Sequence, residues 1–433
     1  MTKISLYRIL YNSLVVPLLW ILLYITGLFN LKVHKGISGR RNLFANVEEA
    51  LSRLPIGRPR FWFHSSSLGE FEQAKPIIAE LKQINPTAQI IVTFFSPSGY
   101  EPSRKYKLAD IITYIPFDSL WNARKFVKIV HPTAAIMVRY DVWPNHIWEL
   151  ARAGIPIFLA NATMRPTTKR FLPGVRSFHT VIYGMFKSIL TVTETDAEMF
   201  GRFGLHNVNV QAIGDTRFDQ VLIRRKEAES KHLIPPSIIM RKKIFIVGSS
   251  WESDEDVLLP VFNKLQHEEA ALLMILVPHE PTIENIERIE SMLNGKTTHI
   301  RFSSLIDYNK QRVIIVDSIG VLVALYKYAH FAYVGGGFKS GVHNVLEPAV
   351  YGIPVIYGPR HQNSQEAVML LKEKAGFVAE DEKKMYRTLR RFLDDEKIRV
   401  AAGKHAAAFV NRNAGATQRF LASLNEYLQG SSQ

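Results

Sequence analysis

One carboxylate in this chain stands where it could act as a base. The stretch HSSSLGEFEQAKPIIAELK begins at His64, and its serines and glycine lead to Glu70 as a helix begins. A helix N-terminus favours an anion, and an ionised carboxylate can take a proton from a hydroxyl group. Two interpretations stay open from these residues alone: Glu70 is a general base, or it is an ordinary capping residue.

A second stretch, Tyr333–Pro359, combines groups that suit a nucleotide. It reads YVGGGFKSGVHNVLEPAVYGIPVIYGP, with three glycines after an apolar run. Glycine N–H groups can approach a phosphate closely, and Asn344 is predicted to cap a helix whose N-terminus favours an anion. Glu347, in the first turn of that helix, could accept two hydrogen bonds from a ribose diol. The alternative is a tight turn with a capping Asn and a Glu that pairs with the helix dipole.

The remaining polar residues limit the kinds of site that the chain could contain. The chain has no cysteine, which excludes disulfides, thiolate metal sites and cysteine nucleophiles. Ser249 and Ser250 follow an apolar run and could add hydroxyl groups near a bound donor. The acidic cluster Glu252–Asp256 is interpreted as the solvated first turn of a helix rather than as a site for a divalent ion. We therefore expect no metal in the site.

Apolar runs typical of strands alternate with helical patterns along most of the chain. This alternation predicts parallel sheets with helices on both faces. It is interrupted at 226–243, which contains Pro235 and Pro236, and then restarts. We expect an α/β protein with two Rossmann-like domains that face each other across a cleft. The predicted boundaries are 1–41 for an anchor, 42–225 for the first domain, 226–243 for a linker and 244–433 for the second domain.

The N-terminus carries an uncharged segment, Ile9–Leu31. At about 1.5 Å per residue, a helix of this length could just cross the core of a bilayer. Arg8 precedes the segment, while Lys32, Lys35, Arg40 and Arg41 follow it, and this asymmetry predicts that the rest of the chain is cytoplasmic. A helix that lies in the membrane interface is the alternative.

The charge balance favours an anionic partner. The chain has 54 Lys and Arg against 39 Asp and Glu, which gives a net charge of +15. A nucleic acid is not the expected partner, because the sequence contains no helix-turn-helix, zinc-finger or RNP-type signature. A phospholipid surface or a phosphorylated substrate would account for the same excess.

Several motifs resemble those of the 3-deoxy-D-manno-octulosonic acid (Kdo) transferases of lipopolysaccharide synthesis. That family carries a pattern like H-[AS]-x-S-[VL]-G-E, and His64–Glu70 reads HSSSLGE. It also carries G-G-x…G-x-H-N-x-L-E-[PA]-A followed by P-V-x-x-G-P, which the stretch Gly335–Pro359 matches. Further matches are VWPN at Val142–Asn145, GDTRFD at Gly214–Asp219 and DSIG at Asp317–Gly320. With the hydrophobic N-terminus, the resemblance covers nearly the whole chain.

The resemblance implies a GT-B glycosyltransferase with its active site between two Rossmann-like domains. The implied reaction transfers Kdo from CMP-Kdo to a lipid A precursor, with inversion of the anomeric centre and with no metal or other cofactor. The first domain would carry the acceptor and the base, and the second would bind the CMP-sugar. The acceptor would be an anionic lipid of the cell inner membrane, with the catalytic domains on its cytoplasmic side.

The resemblance also implies roles for individual residues. Glu70 matches the family's catalytic base. Two positions associated with stabilising the transition state differ from the family pattern: Arg217 replaces a lysine and keeps its charge, whereas Arg139 replaces a glutamate and reverses it. His279 replaces an arginine. The positions that match contacts to the CMP group are Pro278, His279, Ile319, Gly320, Val321, Asn344, Val345, Leu346 and Glu347.

Other functions stay open at this point. A sugar-nucleotide epimerase or hydrolase of similar fold would be soluble, which the Ile9–Leu31 segment opposes. A membrane-tethered protein that binds a nucleotide sugar without catalysis would not need Glu70. A nucleic-acid-binding protein is suggested by charge alone and would bind in a strongly salt-dependent manner.

Overall fold

The computed structural model describes residues 3–430. It divides into two compact units. The first contains the chain up to Gln220 together with the chain from Ala414 onward, and the second contains Val221–Asn413. The ends of the predicted anchor and of the predicted second domain, Met1–Thr2 and 431–433, lie outside the described residues.

The first unit contains a seven-stranded parallel sheet in the order β3-β2-β1-β4-β5-β6-β7. Its strands are β1 (Arg60–Ser65), β2 (Gln89–Phe94), β3 (Ile111–Tyr114), β4 (Ala134–Val138), β5 (Ile157–Ala162), β6 (Ser188–Thr191) and β7 (Asn209–Ala212). The inner strands are apolar on both faces because helices cover both sides of a parallel sheet. The strand order reverses between β1 and β4, so the loops after these two strands diverge and leave room for a ligand at their carboxyl ends.

The second unit contains another seven-stranded parallel sheet, in the order β10-β11-β9-β8-β12-β13-β14. Its strands are β8 (Lys243–Ser250), β9 (Leu272–Pro278), β10 (His299–Arg301), β11 (Val313–Ile315), β12 (Phe331–Val334), β13 (Val355–Tyr357) and β14 (Gly376–Val378). The order reverses between β8 and β12, which pair directly. The loops after β8 and β12 therefore form the corresponding ligand position of this sheet.

Helices precede, connect and cover the strands. They are α1 (Lys3–Leu10), α2 (Val16–Phe29), α3 (Leu31–Ser38), α4 (Leu43–Ser52), α5 (Leu68–Ile84), α6 (Pro97–Ser103), α7 (Leu120–Val130), α8 (Pro144–Arg152), α9 (Val175–Tyr183), α10 (Glu194–Gly201), α11 (Thr216–Glu229), α12 (Pro236–Ile239), α13 (Glu252–Glu268), α14 (Ile283–Leu293), α15 (Leu322–Leu325), α16 (Leu346–Ala349), α17 (Gln365–Lys372), α18 (Glu382–Asp394), α19 (Glu396–Asn413) and α20 (Ala416–Gly430). A π-helical turn, Tyr11–Val15, joins α1 to α2. The α/β class with two parallel sheets is confirmed.

The structure adds elements that the sequence pattern did not predict. These are α9 and the three-residue strands β10 and β14, at the two edges of the second sheet. Such short edge strands carry too few residues to show an alternating pattern. The last helix, α20, packs on the first unit, where Phe420 and Leu424 join Phe71 and Ile77 in one apolar cluster. The sequence-based boundary at 244–433 had assigned this helix to the second domain.

The N-terminal helix is bonded to the rest of the first unit at its beginning, and one face of its later part is exposed. Tyr11 donates a hydrogen bond of 2.8 Å to Asp118, Asn12 bonds Asn145 at 2.9 Å, and Arg8 pairs with Glu149. Among the described residues, one helical segment, Ile4–Phe29, is long and apolar enough to cross a membrane.

Candidate active site

Glu70 lies at the point where the strand order of the first sheet reverses. It is the third residue of α5, which follows β1, and Arg139 and Asp141 follow the neighbouring strand β4. The parallel pairing of β1 and β4 brings the carboxyl ends of both strands to one edge of the sheet. Residues that are far apart in the chain are therefore neighbours here.

The Glu70 side chain is almost fully buried, with 5% of its surface exposed. Its Oε2 accepts hydrogen bonds from the Ser67 N–H at 2.9 Å and from the Ser67 hydroxyl at 3.2 Å. Burial raises the pKa of Glu70, nearby Asp141 raises it further, and the Ser67 donors and His64 oppose the rise. The sequence had led us to expect that the helix N-terminus would hold this carboxylate ionised, but burial outweighs that effect. A carboxylate with a raised pKa is a stronger base.

Asp141 is held in place beside Glu70 by a buried histidine. The His64 Nε2 lies 2.9 Å from the Asp141 carboxylate, and the Ser66 hydroxyl donates to the same oxygen. Burial acts to raise the pKa of Asp141, but the charge and hydrogen bond of His64 and the donors from Ser66 and Trp143 lower it overall. Asp141 is thus the stable anion of the pair, and Glu70 is the carboxylate whose proton affinity is increased.

Sequence reasoning missed the residues that support this pair. His64 Nδ1 lies 2.9 Å from the Thr93 hydroxyl, which also accepts the Trp62 indole N–H at 2.8 Å. On the other side, the Trp143 indole nitrogen lies 3.0 Å from His64 Nε2. Polar residues inside otherwise apolar strands were the available signal, since His64 and Thr93 are fully buried.

Arg139 has an unusual backbone and an unsatisfied side chain. Its φ is 67°, in the left-handed region that residues other than glycine seldom adopt. Its N–H donates to the Ala160 carbonyl at 2.8 Å, while its buried Nε has no hydrogen-bond partner in the described structure. Strained conformations and unsatisfied buried donors are concentrated at ligand sites. Arg139 therefore presents a cation at the same sheet edge as Glu70.

Arg217 forms a two-point ion pair with a buried carboxylate. Its Nε and Nη2 lie 2.9 and 2.7 Å from Asp215 Oδ2, and its N–H donates to Oδ1 at 2.9 Å. Burial acts to raise the pKa of Asp215, but the charge and hydrogen bonds of Arg217 lower it overall. The Arg217 side chain is 35% exposed.

The glycine loop of the second unit is not an open phosphate cradle. The Gly336 and Phe338 N–H groups donate to the buried Asp254 carboxylate, at 2.8 and 3.4 Å. A Cβ on Gly335 would come within 2.1 Å of the Ser249 carbonyl, so glycine is needed there for backbone packing. The interpretation of this loop as free N–H donors for a phosphate is corrected in this respect: an internal carboxylate already occupies two of them.

The acidic cluster at the start of α13 is solvated only in part: Glu252 and Asp256 are exposed as expected, whereas the two carboxylates between them are buried. Asp254 and Glu255 are 0% and 1% exposed. Glu255 accepts the Ser250 hydroxyl at 2.7 Å and pairs with Arg288. Ser250 is thus a partner of Glu255. Asp254 and Glu255 thus stabilise the loops after β8 and β12 instead of facing water.

Pro278 and His279 lie beside an aromatic cluster. The imidazole rings of His279 and His343 stack with centroids 4.4 Å apart, and Trp251 covers His279 at 4.6 Å. The Trp251 indole N–H donates to His343 Nε2 at 2.8 Å. Burial lowers the pKa of His343, and His279 lowers it further. Pro278 and Trp251 line a cavity of about 410 Å³.

Glu347 and Gly320 line a second cavity in this unit, of about 380 Å³. The Glu347 carboxylate pairs with Arg224 at 3.1 Å and accepts from the Asn344 amide at 3.2 Å. The Asn344 Oδ1 accepts the N–H of Leu346 at 3.1 Å, so Asn344 caps this turn. Helix α16 has only four residues, shorter than the sequence suggested, and so its dipole is weak.

The remaining candidate CMP contacts differ in accessibility. Val345 and Leu346 are buried in the core, at 1% and 2% exposure, so only their backbone could contact a ligand. Ile319 is 87% exposed, and Gly320 has a φ of 82° that suits glycine. Within residues 3–430, no cluster of three or more His, Asp or Glu side chains could hold a metal ion. Independence of metal stays a prediction.

Comparisons with known proteins assign this chain to a family. Residues 39–220 match the family described as 3-Deoxy-D-manno-octulosonic-acid transferase (kdotransferase). The 3-deoxy-D-manno-octulosonic acid transferase of Aquifex aeolicus is 30% identical over 78% of this chain and 86% of its own length. The chain belongs to the Kdo transferase family. The Haemophilus influenzae member is 26% identical over 98% of this chain and 99% of its own length.

Family membership makes the chain a glycosyltransferase, as the motifs predicted. Among solved structures, the UDP-GlcNAc 2-epimerase of Neisseria meningitidis superposes with a TM-score of 0.56 over 85% of this chain and 100% of its own. At 13% identity this likeness concerns the fold alone, and it confirms the GT-B class.

Proposed function

We propose that this Kdo transferase family member transfers Kdo from CMP-Kdo to a lipid A precursor, with inversion of the anomeric centre. The observation that carries the proposal is the buried Glu70 carboxylate, whose pKa is raised at the edge where the first sheet reverses its strand order. Family membership supplies the sugar and the type of reaction. The identity of the donor nucleotide and the identity of the acceptor lipid are what we propose beyond family membership.

In this mechanism Glu70 takes the proton of the acceptor hydroxyl while that oxygen bonds to the anomeric carbon of Kdo. The bond between the anomeric carbon and the phosphate oxygen breaks on the opposite face, and CMP leaves with the bonding electrons. One proton moves to Glu70, and the phosphate leaves as an anion without needing a proton. General-base assistance of this kind contributes about 10²- to 10⁴-fold to a rate.

Asp141 and His64 are proposed to position the base. Asp141 stays ionised because His64, Ser66 and Trp143 stabilise its charge, and its field strengthens the proton affinity of Glu70. Because a raised pKa also means that Glu70 is protonated more readily, the rate of transfer should decrease as the pH falls through that pKa.

Two arginines are proposed to face the negative charges of the donor. Arg139 offers a buried Nε without a partner in the described structure, and Arg217 offers a partly exposed guanidinium that Asp215 holds in place. A guanidinium can meet the Kdo carboxylate or the departing phosphate through two parallel hydrogen bonds. No metal is required in this scheme, since fixed cations and N–H donors supply the positive charge.

The donor nucleotide is proposed to bind the second unit. Glu347 would exchange its Arg224 partner for the ribose diol, with Asn344 beside it and the Gly320 loop lining the same cavity. Pro278 and His279 belong to the neighbouring aromatic cluster, where an exposed imidazole suits contact with a base or phosphate. The anionic acceptor and the inner membrane would account for the net charge of +15.

The decisive experiment incubates the full-length protein with CMP-Kdo and a tetraacylated lipid A precursor and weighs the products by mass spectrometry. We expect one or more Kdo units on the lipid and release of CMP. Glu70→Gln should reduce transfer at least about 100-fold, while CMP-Kdo binding by calorimetry changes little. Glu80→Gln, on the same helix, is the matched control. Wild-type transfer by Glu70→Gln would show that another group is the base.

A further inference from the structure

An apolar groove runs between the N-terminal helix and the loops at the carboxyl edge of the first sheet. One face of α2 forms one wall. The opposite wall is formed by Phe95, which follows β2, and by Phe117 and Trp143, which follow β3 and β4. A second cavity of about 360 Å³ continues from it and shares Leu19, Leu23, Phe95 and Phe117. We call these two connected cavities the helix groove.

One face of α2 lines the helix groove, and a different face of the helix is exposed. Its lining residues on the helix are Val16, Leu19, Trp20, Leu22, Leu23, Tyr24 and Thr26. The outward face, at helical spacing, consists of Leu14, Leu18, Ile21, Ile25 and Leu28, which are 50 to 78% exposed. An apolar face of this kind is normally covered by a membrane or a partner. The groove therefore opens beside a surface suited to lipid.

Two of the charged groups that line the groove, Asp118 and Arg40, already have partners. Asp118 accepts hydrogen bonds from Tyr11 and from the N–H groups of Asn145 and His146. The Arg40 guanidinium donates to the carbonyls of Ile115, Gly36 and Phe95, and burial lowers its pKa to about 10. An occupant therefore has no hydrogen bond to make with these groups. A hydrocarbon chain meets that requirement, whereas a peptide would leave its backbone groups unsatisfied.

One wall residue of the groove, Trp143, contacts the residues that support the candidate base. Trp143 lines the groove and stacks on Phe95 with centroids 4.7 Å apart. Its indole nitrogen lies 3.0 Å from His64, which in turn holds Asp141 beside Glu70. Lys32 also lines the groove, as an exposed cation. A lipid with its chain in the groove would have its polar part close to a cation or to the base.

We propose that the helix groove binds an acyl chain of the lipid acceptor and thereby guides its head group to Glu70. This inference rests on the proposed function for the identity of the lipid, since a bulk phospholipid would gain nothing from a groove whose wall contacts the residues around Glu70. The groove is an acceptor subsite built partly from the N-terminal helix. The helix would then serve substrate selection as well as attachment to a membrane.

The test fills the groove without changing the polarity of the helix. Leu23→Trp and Leu19→Trp place a bulky side chain in both cavities, and Leu18→Trp places the same side chain on the outward face. With a tetraacylated acceptor, we expect the groove variants to raise the acceptor KM at least about tenfold, with the CMP-Kdo KM unchanged. With a deacylated, water-soluble acceptor, all three variants should match the wild type. Equal acceptor KM values for Leu23→Trp and Leu18→Trp would overturn the proposal.

A binding measurement separates this proposal from the proposed function. A lipid A precursor with a diazirine in one acyl chain is irradiated with the full-length protein in phosphatidylethanolamine–phosphatidylglycerol vesicles. We expect labelling near Phe95 and Phe117 in the wild type and in Leu18→Trp, and its loss in both groove variants. Labelling without Kdo transfer would refute the proposed function and leave the groove assignment standing. Labelling confined to the outward face would overturn the groove assignment. Cross-links through the groove between two copies of the chain would overturn it as well.

Discussion

The environment of Glu70 sets both its reactivity and its effect on the stability of the fold. The carboxylate is 5% exposed, accepts two hydrogen bonds from Ser67 and lies in the field of Asp141. Burial and Asp141 favour its protonated form, and the same two factors that make it a better base destabilise it as an anion. Active sites commonly carry such a conflict between function and stability.

This conflict predicts a pH-dependent gain in stability for Glu70→Gln. Because folding raises the pKa of Glu70, its contribution to stability is fully present at low pH and is lost as pH rises through the folded pKa. The variant should therefore melt about 2 to 4 °C above the wild type at pH 8, and the gap should close below pH 4. Thermal unfolding followed by circular dichroism across this range measures it. The same gain in Glu80→Gln, or a gap that widens in acid, would contradict the assignment.

At the scale of the element, one carboxylate of α11 attaches the C-terminal helix α20 to the rest of the first unit. The Asp219 carboxylate of α11 accepts the N–H groups of Gly415 and Thr417, at 2.6 and 2.7 Å, and the Thr417 hydroxyl at 2.7 Å. These bonds satisfy donors at the start of α20, which then buries Phe420 and Leu424. Asp219 belongs to the GDTRFD motif, so that motif also has a structural role.

Asp219→Ala should loosen α20. The loss of three hydrogen bonds to a charged acceptor should destabilise the first unit by about 2 kcal/mol, measured by urea unfolding. Hydrogen exchange should increase most in residues 416–430. Glu229→Ala removes an exposed carboxylate from the end of the same helix and should change stability by less than about 0.5 kcal/mol. Unchanged exchange in α20 for Asp219→Ala would show that apolar packing alone holds the helix.

At the scale of the whole molecule, net charge and one exposed apolar helix face act together. The net charge of +15 attracts an anionic surface over about a Debye length, and the outward face of α2 offers apolar contact once the surface is reached. Arg8, Tyr11 and Asn12 are bonded to the rest of the first unit, so we expect the part of the helix that enters lipid to begin after them. Charge should speed binding, and the apolar face should hold the protein in place.

Leu18→Glu/Ile25→Glu should release the protein from vesicles that contain phosphatidylglycerol. Two charges on the outward face oppose burial in lipid and should lower the partition coefficient at least about tenfold in a sedimentation assay. High salt should weaken wild-type binding without abolishing it, because screening affects only the charge contribution. Ile283→Glu/Ile306→Glu changes two exposed isoleucines of the second unit and should sediment like the wild type. Equal sedimentation of both double variants would show that the protein contacts the membrane through a surface other than the outward face of α2.

Much of this fold follows from local patterns. Apolar runs alternating with helical periodicity predicted the parallel class of both sheets, because burial on both faces requires apolar residues at successive positions. The HSSSLGE stretch also predicted a helix that begins beside Glu70, and α5 does begin there. The motifs led to the Kdo transferase family for the same reason: they are contiguous in the chain.

Only the tertiary structure decided which groups face one another. Burial in the folded unit raises the pKa of Glu70, and the pairing of β1 with β4 brings Asp141 close enough to raise it further, whereas the helix N-terminus alone suggested the opposite. The packing of β8 against β12 places Asp254 on the glycine loop, where a phosphate was expected. Burial and electrostatic fields depend on distances between residues far apart in the chain, and strand order, which local periodicity does not encode, determines those distances.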